Sequence, residues 1–240
     1  RFTPLKVANQ IPKRRRREIE RALEGSSGTP KKWSRQSGPK NHNFMRKRIT
    51  PGSIRRIEFD LLSVEIGESW PTPVTVIHGS RPGPVVTLLG AVHGNELVGP
   101  LALTYLTGPN FVGPGKPIDP EAMSGTLRIV PVVNMPGYRR QSRYMPDGRD
   151  LNRAFPGKPE SNTTFRVAHK IWNEVIVGSD YIIDLHTAAF GRTNMPQIRA
   201  NLAHASSNKI ARSFGIEAIL DNVGPKGSLR RLTNESDIAC

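Results

Sequence analysis

The chain has 240 residues, which is enough for one α/β domain with a sizeable hydrophobic core. It contains no run of about 18 consecutive apolar residues, so no membrane insertion is expected. No apolar run follows the N-terminal charges, which argues against a signal peptide. The single cysteine, Cys240, excludes a disulfide framework and is typical of a cytoplasmic protein.

The formal net charge of +15 is concentrated near the N-terminus. Residues 1–48 contain 15 Lys or Arg against three Glu, whereas residues 49–240 contain 20 basic and 17 acidic side chains. A like-charged segment with few apolar residues predicts a basic, mostly flexible arm over residues 1–50. An alternative from another functional class is that residues 1–48 bind nucleic acid or an acidic surface, which would explain the charge.

From residue 51 onward, short apolar runs alternate with amphipathic stretches. Continuous apolar runs are typical of strands buried on both faces, and a period of 3.6 residues is typical of helices. The predicted strands cover 74–77, 85–92, 127–133, 181–185 and 217–220, and the predicted helices cover 95–106, 165–177 and 203–214. This order predicts an α/β domain over residues 51–240, with a mixed, largely parallel sheet flanked by helices on both faces.

The first candidate metal ligands are His93 and Glu96, which follow the predicted strand 85–92. Gly94 permits a sharp turn between them, and the spacing brings both side chains above one edge of the sheet. Ligands bind at the carboxyl ends of strands in open α/β sheets, and an imidazole with a carboxylate suits a zinc ion. Taken alone, the pair is explained equally well by a surface histidine and a glutamate at the start of a helix capped by Asn95.

The second candidate group is Asp184-Leu185-His186-Thr187, at the end of another predicted strand. Side chains alternate along a strand, so Asp184 and His186 share one face. His186 is the candidate third ligand, because two histidines and one glutamate form a catalytic zinc site whose fourth position is left to water. Asp184 is a candidate for orienting a ligand, or else a cap at the end of the strand.

The third feature is a loop, punctuated by Pro and Gly, that carries Arg143, Arg149 and Arg153. The planar guanidinium group matches a carboxylate, so such a loop beside a metal would hold an acidic substrate and stabilise an oxyanion. Without a metal nearby, the same pattern indicates no more than a solvated basic loop.

Together these features resemble the succinylglutamate desuccinylase/aspartoacylase family of the zinc carboxypeptidase superfamily. The resemblance covers roughly residues 51–240 and rests on the order and spacing of five segments. These segments are His93-Gly94-Asn95-Glu96, residues 143–157 around Asp150-Leu151-Asn152-Arg153, Asp184-Leu185-His186-Thr187, residues 190–197 and residues 224–231.

The resemblance implies one zinc ion as the cofactor, with His93, Glu96 and His186 as its ligands. It implies that Asn152 and Arg153 bind a carboxylate of a small-molecule substrate. Arg143 would be the catalytic arginine that polarises the scissile carbonyl, and Arg149 is the less favoured candidate for a role beside the substrate.

The sequence departs from the family pattern near its end. Members of the family use a catalytic glutamate on a strand downstream of the segment that corresponds to residues 224–231, and here the chain reaches Cys240 where that strand would begin. Glu235 lies in a predicted helix, too early in the pattern for this role. The expectation is therefore a C-terminally truncated member, which binds zinc but is nearly inactive as a hydrolase.

The function implied by the resemblance is that of a zinc-dependent deacylase. It would cleave the linear amide bond of an N-acyl amino acid or of a related carboxylate substrate. An ester substrate, or a peptide C-terminus as in a metallocarboxypeptidase, stays an alternative because the site chemistry is the same. A metal-binding pseudoenzyme is a third interpretation. The acyl group, the amino acid and the oligomeric state are left open.

Overall fold

The computed structural model describes residues 40–63, 69–107, 118–188 and 191–240. The predicted basic arm therefore lies outside the described residues as far as residue 39. The described strands are β1 (His42–Phe44), β2 (Lys47–Ile49), β3 (Ser53–Ser63), β4 (Ser69–His78), β5 (Arg81–Gly90), β6 (Ser124–Val130), β7 (Tyr181–Leu185), β8 (Ile198–Ala200) and β9 (Ile219–Asp221). The described α-helices are α1 (Val98–Thr107), α2 (Met135–Arg139), α3 (Thr163–Ile171), α4 (Ala205–Ser213) and α5 (Leu229–Glu235).

Five of these strands form a central mixed sheet in the order β3-β4-β6-β5-β7. The β3–β4 and β4–β6 pairs are antiparallel, whereas β5 runs parallel to both β6 and β7. The predicted α/β class with a mixed sheet is confirmed. The parallel half is the part that matters for the site, because β5, β6 and β7 all end at the same edge.

Helices cover both faces of this sheet. Neighbouring residues of β5 point to opposite sides, as the period of two in a strand requires. Leu89 belongs to the buried cluster that includes Ile171 of α3, whereas Leu88 belongs to a second cluster that includes Leu103 of α1. The predicted helix 165–177 is divided at this point, since α3 ends at Ile171 and a π-helical turn continues over Trp172–Ile176.

A hairpin of β1 and β2 precedes the sheet and was not predicted from the sequence. Its apolar side chains Phe44 and Ile49 are 4% and 1% exposed, and the Arg128 guanidinium lies 4.6 Å from the centre of the Phe44 ring. Residues 40–50, at the end of the predicted arm, are therefore folded against the domain. Four of the eleven residues in this stretch are Lys or Arg, and the charge pattern gives no indication that Phe44 and Ile49 are buried.

Candidate active site

The turn after β5 places His93 and Glu96. Backbone amides of Val133 and Asn134 donate to the carbonyls of Gly90 and Ala91, both at 2.9 Å, and fix the chain where it leaves the sheet. A Cβ atom on Gly94 would lie 2.1 Å from the carbonyl carbon of Gly137, so this position accepts only glycine without rearrangement. The glycine therefore lets the turn pack directly against α2.

The predicted helix 95–106 begins later than expected, because α1 starts at Val98. Asn95 is therefore not its cap, and Glu96 lies in the connecting turn. The reason is Pro100, which has no N–H to donate to the carbonyl of residue 96 and fits only within the first turn of a helix. The Glu96 side chain is thus presented from a turn and not from the helix itself.

His186 follows β7, the strand that lies beside β5 in the sheet. Gly90 and Leu185 are paired in the parallel register, so the two chains leave the sheet next to each other. The ring centres of His93 and His186 are 4.8 Å apart as a result. This parallel pairing brings together residues that are 93 positions apart in the sequence.

The three candidate ligands form a compact cluster. Glu96 Oε1 lies 2.7 Å from His93 Nδ1, and Glu96 Oε2 lies 2.9 Å from His186 Nδ1. The three candidate donor atoms lie within 4.8 Å of one another, and Glu96 is only 3% exposed. Two imidazole nitrogens and one carboxylate are a donor set that zinc accepts, so the residues present fit such an ion.

Each of the two histidines faces Glu96 through Nδ1 and a second carboxylate through Nε2. Asp184 Oδ2 lies 2.8 Å from His186 Nε2, and Asp150 Oδ1 lies 3.3 Å from His93 Nε2. Such outer carboxylates hold the ring orientation and tautomer of metal-ligating histidines. Asp184 was a candidate for this task from its strand position. Sequence reasoning gave Asp150 no role, although an aspartate just before a short helical turn is a signal for a side chain that binds the backbone.

Electrostatics within the cluster favour ionised carboxylates and positive charge opposite them. Burial alone would raise the pKa of Glu96, but hydrogen bonds from His186 and His93 lower that pKa to about 2. Burial opposes charge on His186 too, yet Asp184 and Glu96 raise the pKa of His186 to about 10. The carboxylates thus stabilise a cation at this position, and a metal ion would compete with protons for the two rings.

Arg143 reaches the cluster from its loop. Its Nη2 lies 3.0 Å from Asp150 Oδ2, and its Nη1 lies 3.6 Å from Glu96 Oε1. Asp150 also accepts the amide of Asn152 at 2.8 Å, so one carboxylate ties the arginine, a candidate ligand and the following turn together. Arg143 is therefore held beside the candidate metal position.

The other candidate residues of the loop differ in whether they line the cavity beside the candidate metal ligands. Asn152 and Arg153 line the same cavity as the three candidate ligands, and this cavity has a volume of about 810 Å³. Asn152 Oδ1 accepts the backbone amide of Leu229 at 2.9 Å, which joins the loop to α5. Arg149 does not line the cavity: its Nη1 donates to the carbonyl of Asp147 at 3.3 Å, and its side chain is 52% exposed.

Sequence reasoning missed two further basic side chains of the cavity. Arg199 lies on β8 and Arg230 on α5, and both line the cavity with Arg153. Arg230 stands in a segment that carried the family resemblance, so a signal for it was present. Arg199 is a single charge in a short strand, and nothing local distinguishes it from a solvated surface residue.

The fold and the cluster define a candidate hydrolase centre, in which the three candidate metal ligands line a cavity of a size suited to a small molecule. Residues 82–239 match the succinylglutamate desuccinylase/aspartoacylase catalytic domain. The chain therefore belongs to the succinylglutamate desuccinylase/aspartoacylase family. Its members are deacylases that act on small molecules, which agrees with the class of protein inferred from the sequence.

Several known proteins are similar to this chain. The N-alpha-acetyl-L-2,4-diaminobutyric acid deacetylase of Halomonas elongata is 35% identical over 122 residues, which are 50% of this chain and 32% of that protein. A succinylglutamate desuccinylase/aspartoacylase from Rhodobacter sphaeroides is 27% identical with a TM-score of 0.64, over 77% of this chain and 56% of that one. A succinylglutamate desuccinylase from Silicibacter sp. TM1040 is 25% identical with a TM-score of 0.65, over 78% and 57%. This chain thus spans a third to rather more than half of the length of these relatives.

Within the described residues, no helix combines the length and the apolar character that crossing a bilayer requires.

Proposed function

We propose that this protein is a zinc-dependent deacylase that hydrolyses the linear amide bond of an N-acyl amino acid. The observation that carries the proposal is the convergence of His93, Glu96 and His186 within 4.8 Å, beside Arg143, in a cavity of about 810 Å³. The Halomonas elongata relative supports it, since the name of that enzyme specifies removal of an acetyl group from an amino acid nitrogen.

Different residues of the cavity would activate the scissile carbonyl and bind the substrate. A zinc ion held by the three ligands would act as a Lewis acid on the scissile carbonyl. Arg143, fixed by Asp150, would stabilise the negative charge that develops on the carbonyl oxygen. Because the side-chain oxygen of Asn152 already accepts from Leu229, its NH₂ group is left to donate. Together with the guanidinium of Arg153, that donor suits a substrate carboxylate.

The proposal assigns the proton-transfer step to none of the carboxylates of Glu96, Asp184 and Glu235. Glu96 is engaged through Oε1 with His93 and through Oε2 with His186, and Asp184 Oδ2 lies 2.8 Å from His186 Nε2. Glu235 accepts from Arg231 Nε at 2.9 Å and does not line the cavity. The proposal thus rests on the described residues that would bind the metal and position the substrate, and it assigns no general base.

The test measures zinc content and amide hydrolysis together. Purified protein is analysed for bound zinc and assayed on a panel of N-acetyl amino acids. The combined change His93→Ala and His186→Ala is expected to abolish zinc binding, because it removes two of three ligands. His169→Ala, on α3 and outside the cavity, is the matched control. Zinc retained by the double variant, or amide hydrolysis that survives removal of zinc with a chelator, would contradict the proposal.

A further inference from the structure

A concentration of positive charge lies where the β1–β2 hairpin meets β3. Residues 40–56 contain six Lys or Arg and no Asp or Glu. Four of these basic side chains form a surface, the basic platform, and all four are exposed: Arg46, Lys47, Arg48 and Arg55. Within the described parts of the chain, none of the four forms a salt bridge, and none lines the cavity of the candidate active site. The deacylase proposal therefore gives this charge no task.

Arg55 of β3 lies on the side of the sheet that the hairpin covers. Side chains alternate along a strand, so Arg55 and Phe59 point to the same face. Phe59 belongs to the same buried cluster as Phe44 of the hairpin, and β2 contacts β3. Arg56 points to the opposite face, where its Nη2 donates to the carbonyl of Thr107 at 3.4 Å. The platform thus combines charges from two elements on one side of the domain.

The hairpin turn holds Arg46 at the tip of the platform. Met45 and Arg46 have φ angles of 48° and 59°, in the left-handed region that the common two-residue hairpin loops require. Asn and Gly are preferred there, and residues with larger side chains are strained. Arg46 makes neither a hydrogen bond nor a salt bridge with the described residues. The turn therefore keeps an arginine where glycine would be more stable, and no contact in the described fold explains that choice.

The chemistry of the hairpin surface selects one kind of partner. Phe44 and Ile49 are buried and Met45 packs against the core, so the exposed surface of the hairpin carries no large apolar side chain. Protein interfaces have an apolar centre, and amphipathic membrane-binding elements insert apolar side chains. Contacts to the phosphates of a nucleic acid need neither, because they are electrostatic and release bound counterions.

We propose that the basic platform binds the phosphate backbone of double-stranded DNA without reading its sequence. Guanidinium groups bind phosphate through bidentate, charge-assisted hydrogen bonds, and three of the four platform side chains are arginines. Residues 1–39 add 11 Lys or Arg against three Glu, so the platform is the folded end of a longer basic segment. This binding activity is independent of the proposed deacylase function, because the platform lies outside the cavity.

The experiment measures the affinity of the full chain for DNA at several salt concentrations. Fluorescence anisotropy of a labelled duplex of about 20 base pairs gives the slope of log K against log salt concentration. The combined change Arg46→Gln and Arg55→Gln should lower the affinity about tenfold and reduce the slope by about two, since two phosphate contacts are lost. The matched control is Arg56→Gln with Lys209→Gln, which removes the same charge from the opposite face of β3 and from α4.

A second variant separates binding from stability. Arg46→Gly should raise the melting temperature, because glycine adopts the left-handed conformation without strain, and it should weaken DNA binding. A lower melting temperature would show that Arg46 serves the fold and would contradict the proposal.

Three other outcomes would overturn the platform as a DNA site. The first is a wild-type chain that does not bind the duplex. The second is an affinity that survives the double change but disappears when residues 1–39 are deleted, because the upstream segment alone would then bind DNA. The third is tighter binding to vesicles of phosphatidylcholine and phosphatidylserine than to the duplex, which would make an anionic membrane the partner.

Discussion

Asp150→Asn is expected to weaken zinc binding without unfolding the protein. The carboxylate of Asp150 lies 3.3 Å from His93 Nε2 and 3.0 Å from Arg143 Nη2, and it accepts the amide of Asn152 at 2.8 Å. An asparagine keeps the shape and one acceptor oxygen but removes the charge that faces the ring and the guanidinium. Loss of an outer carboxylate of this kind costs about 10–100-fold in metal affinity. That range corresponds to about 1.4–2.8 kcal/mol of binding free energy.

The assay is competition for zinc between the protein and a chromophoric chelator, with thermal melts of the same samples. Asp184→Asn, which acts on His186 at 2.8 Å, should weaken zinc binding by a similar factor. Asp147→Ala is the control, since Asp147 lies in the same loop but faces α3. If Asp150→Asn and Asp147→Ala both change zinc affinity less than twofold, Asp150 does not position His93 and the reasoning is refuted.

Two further predictions concern stability. Asp147 accepts hydrogen bonds from the amide and the hydroxyl of Thr164 at the start of α3, so Asp147→Ala should cost about 0.5–2 kcal/mol of unfolding free energy at neutral pH. These hydrogen bonds outweigh the effect of burial and lower the pKa of Asp147. The contribution of Asp147 to the unfolding free energy is therefore complete above the ordinary aspartate pKa and is lost as the pH falls through the lowered pKa. Melts across this acidic range should show the two proteins converging, and a constant difference would disprove the assignment. Deleting residues 1–39 should change the melting temperature by less than about 2 °C, whereas deleting residues 1–50 should lower it by more than about 5 °C, because Phe44 is lost from the core.

Local sequence patterns were sufficient to locate the candidate metal ligands. His93 and His186 each follow an apolar run, and the strands β5 and β7 end close to the places where those runs end. The strand Tyr181–Leu185 coincides with its prediction, since five consecutive residues of strand type have no competing helical period. The family resemblance rested on the same short segments, and the match over residues 82–239 confirms it.

The pairing of distant segments was decided only by the tertiary structure. The parallel contact of β5 with β7 brings Glu96 to His186 across 90 positions, and no local pattern specifies that neighbour. The same is true of Asp150 behind His93 and of Arg199 in the wall of the cavity. A short motif encodes the conformation of its own backbone, but the partner of a side chain depends on which elements pack together. Sheet order and packing determine that, and they arise from the burial of the whole core.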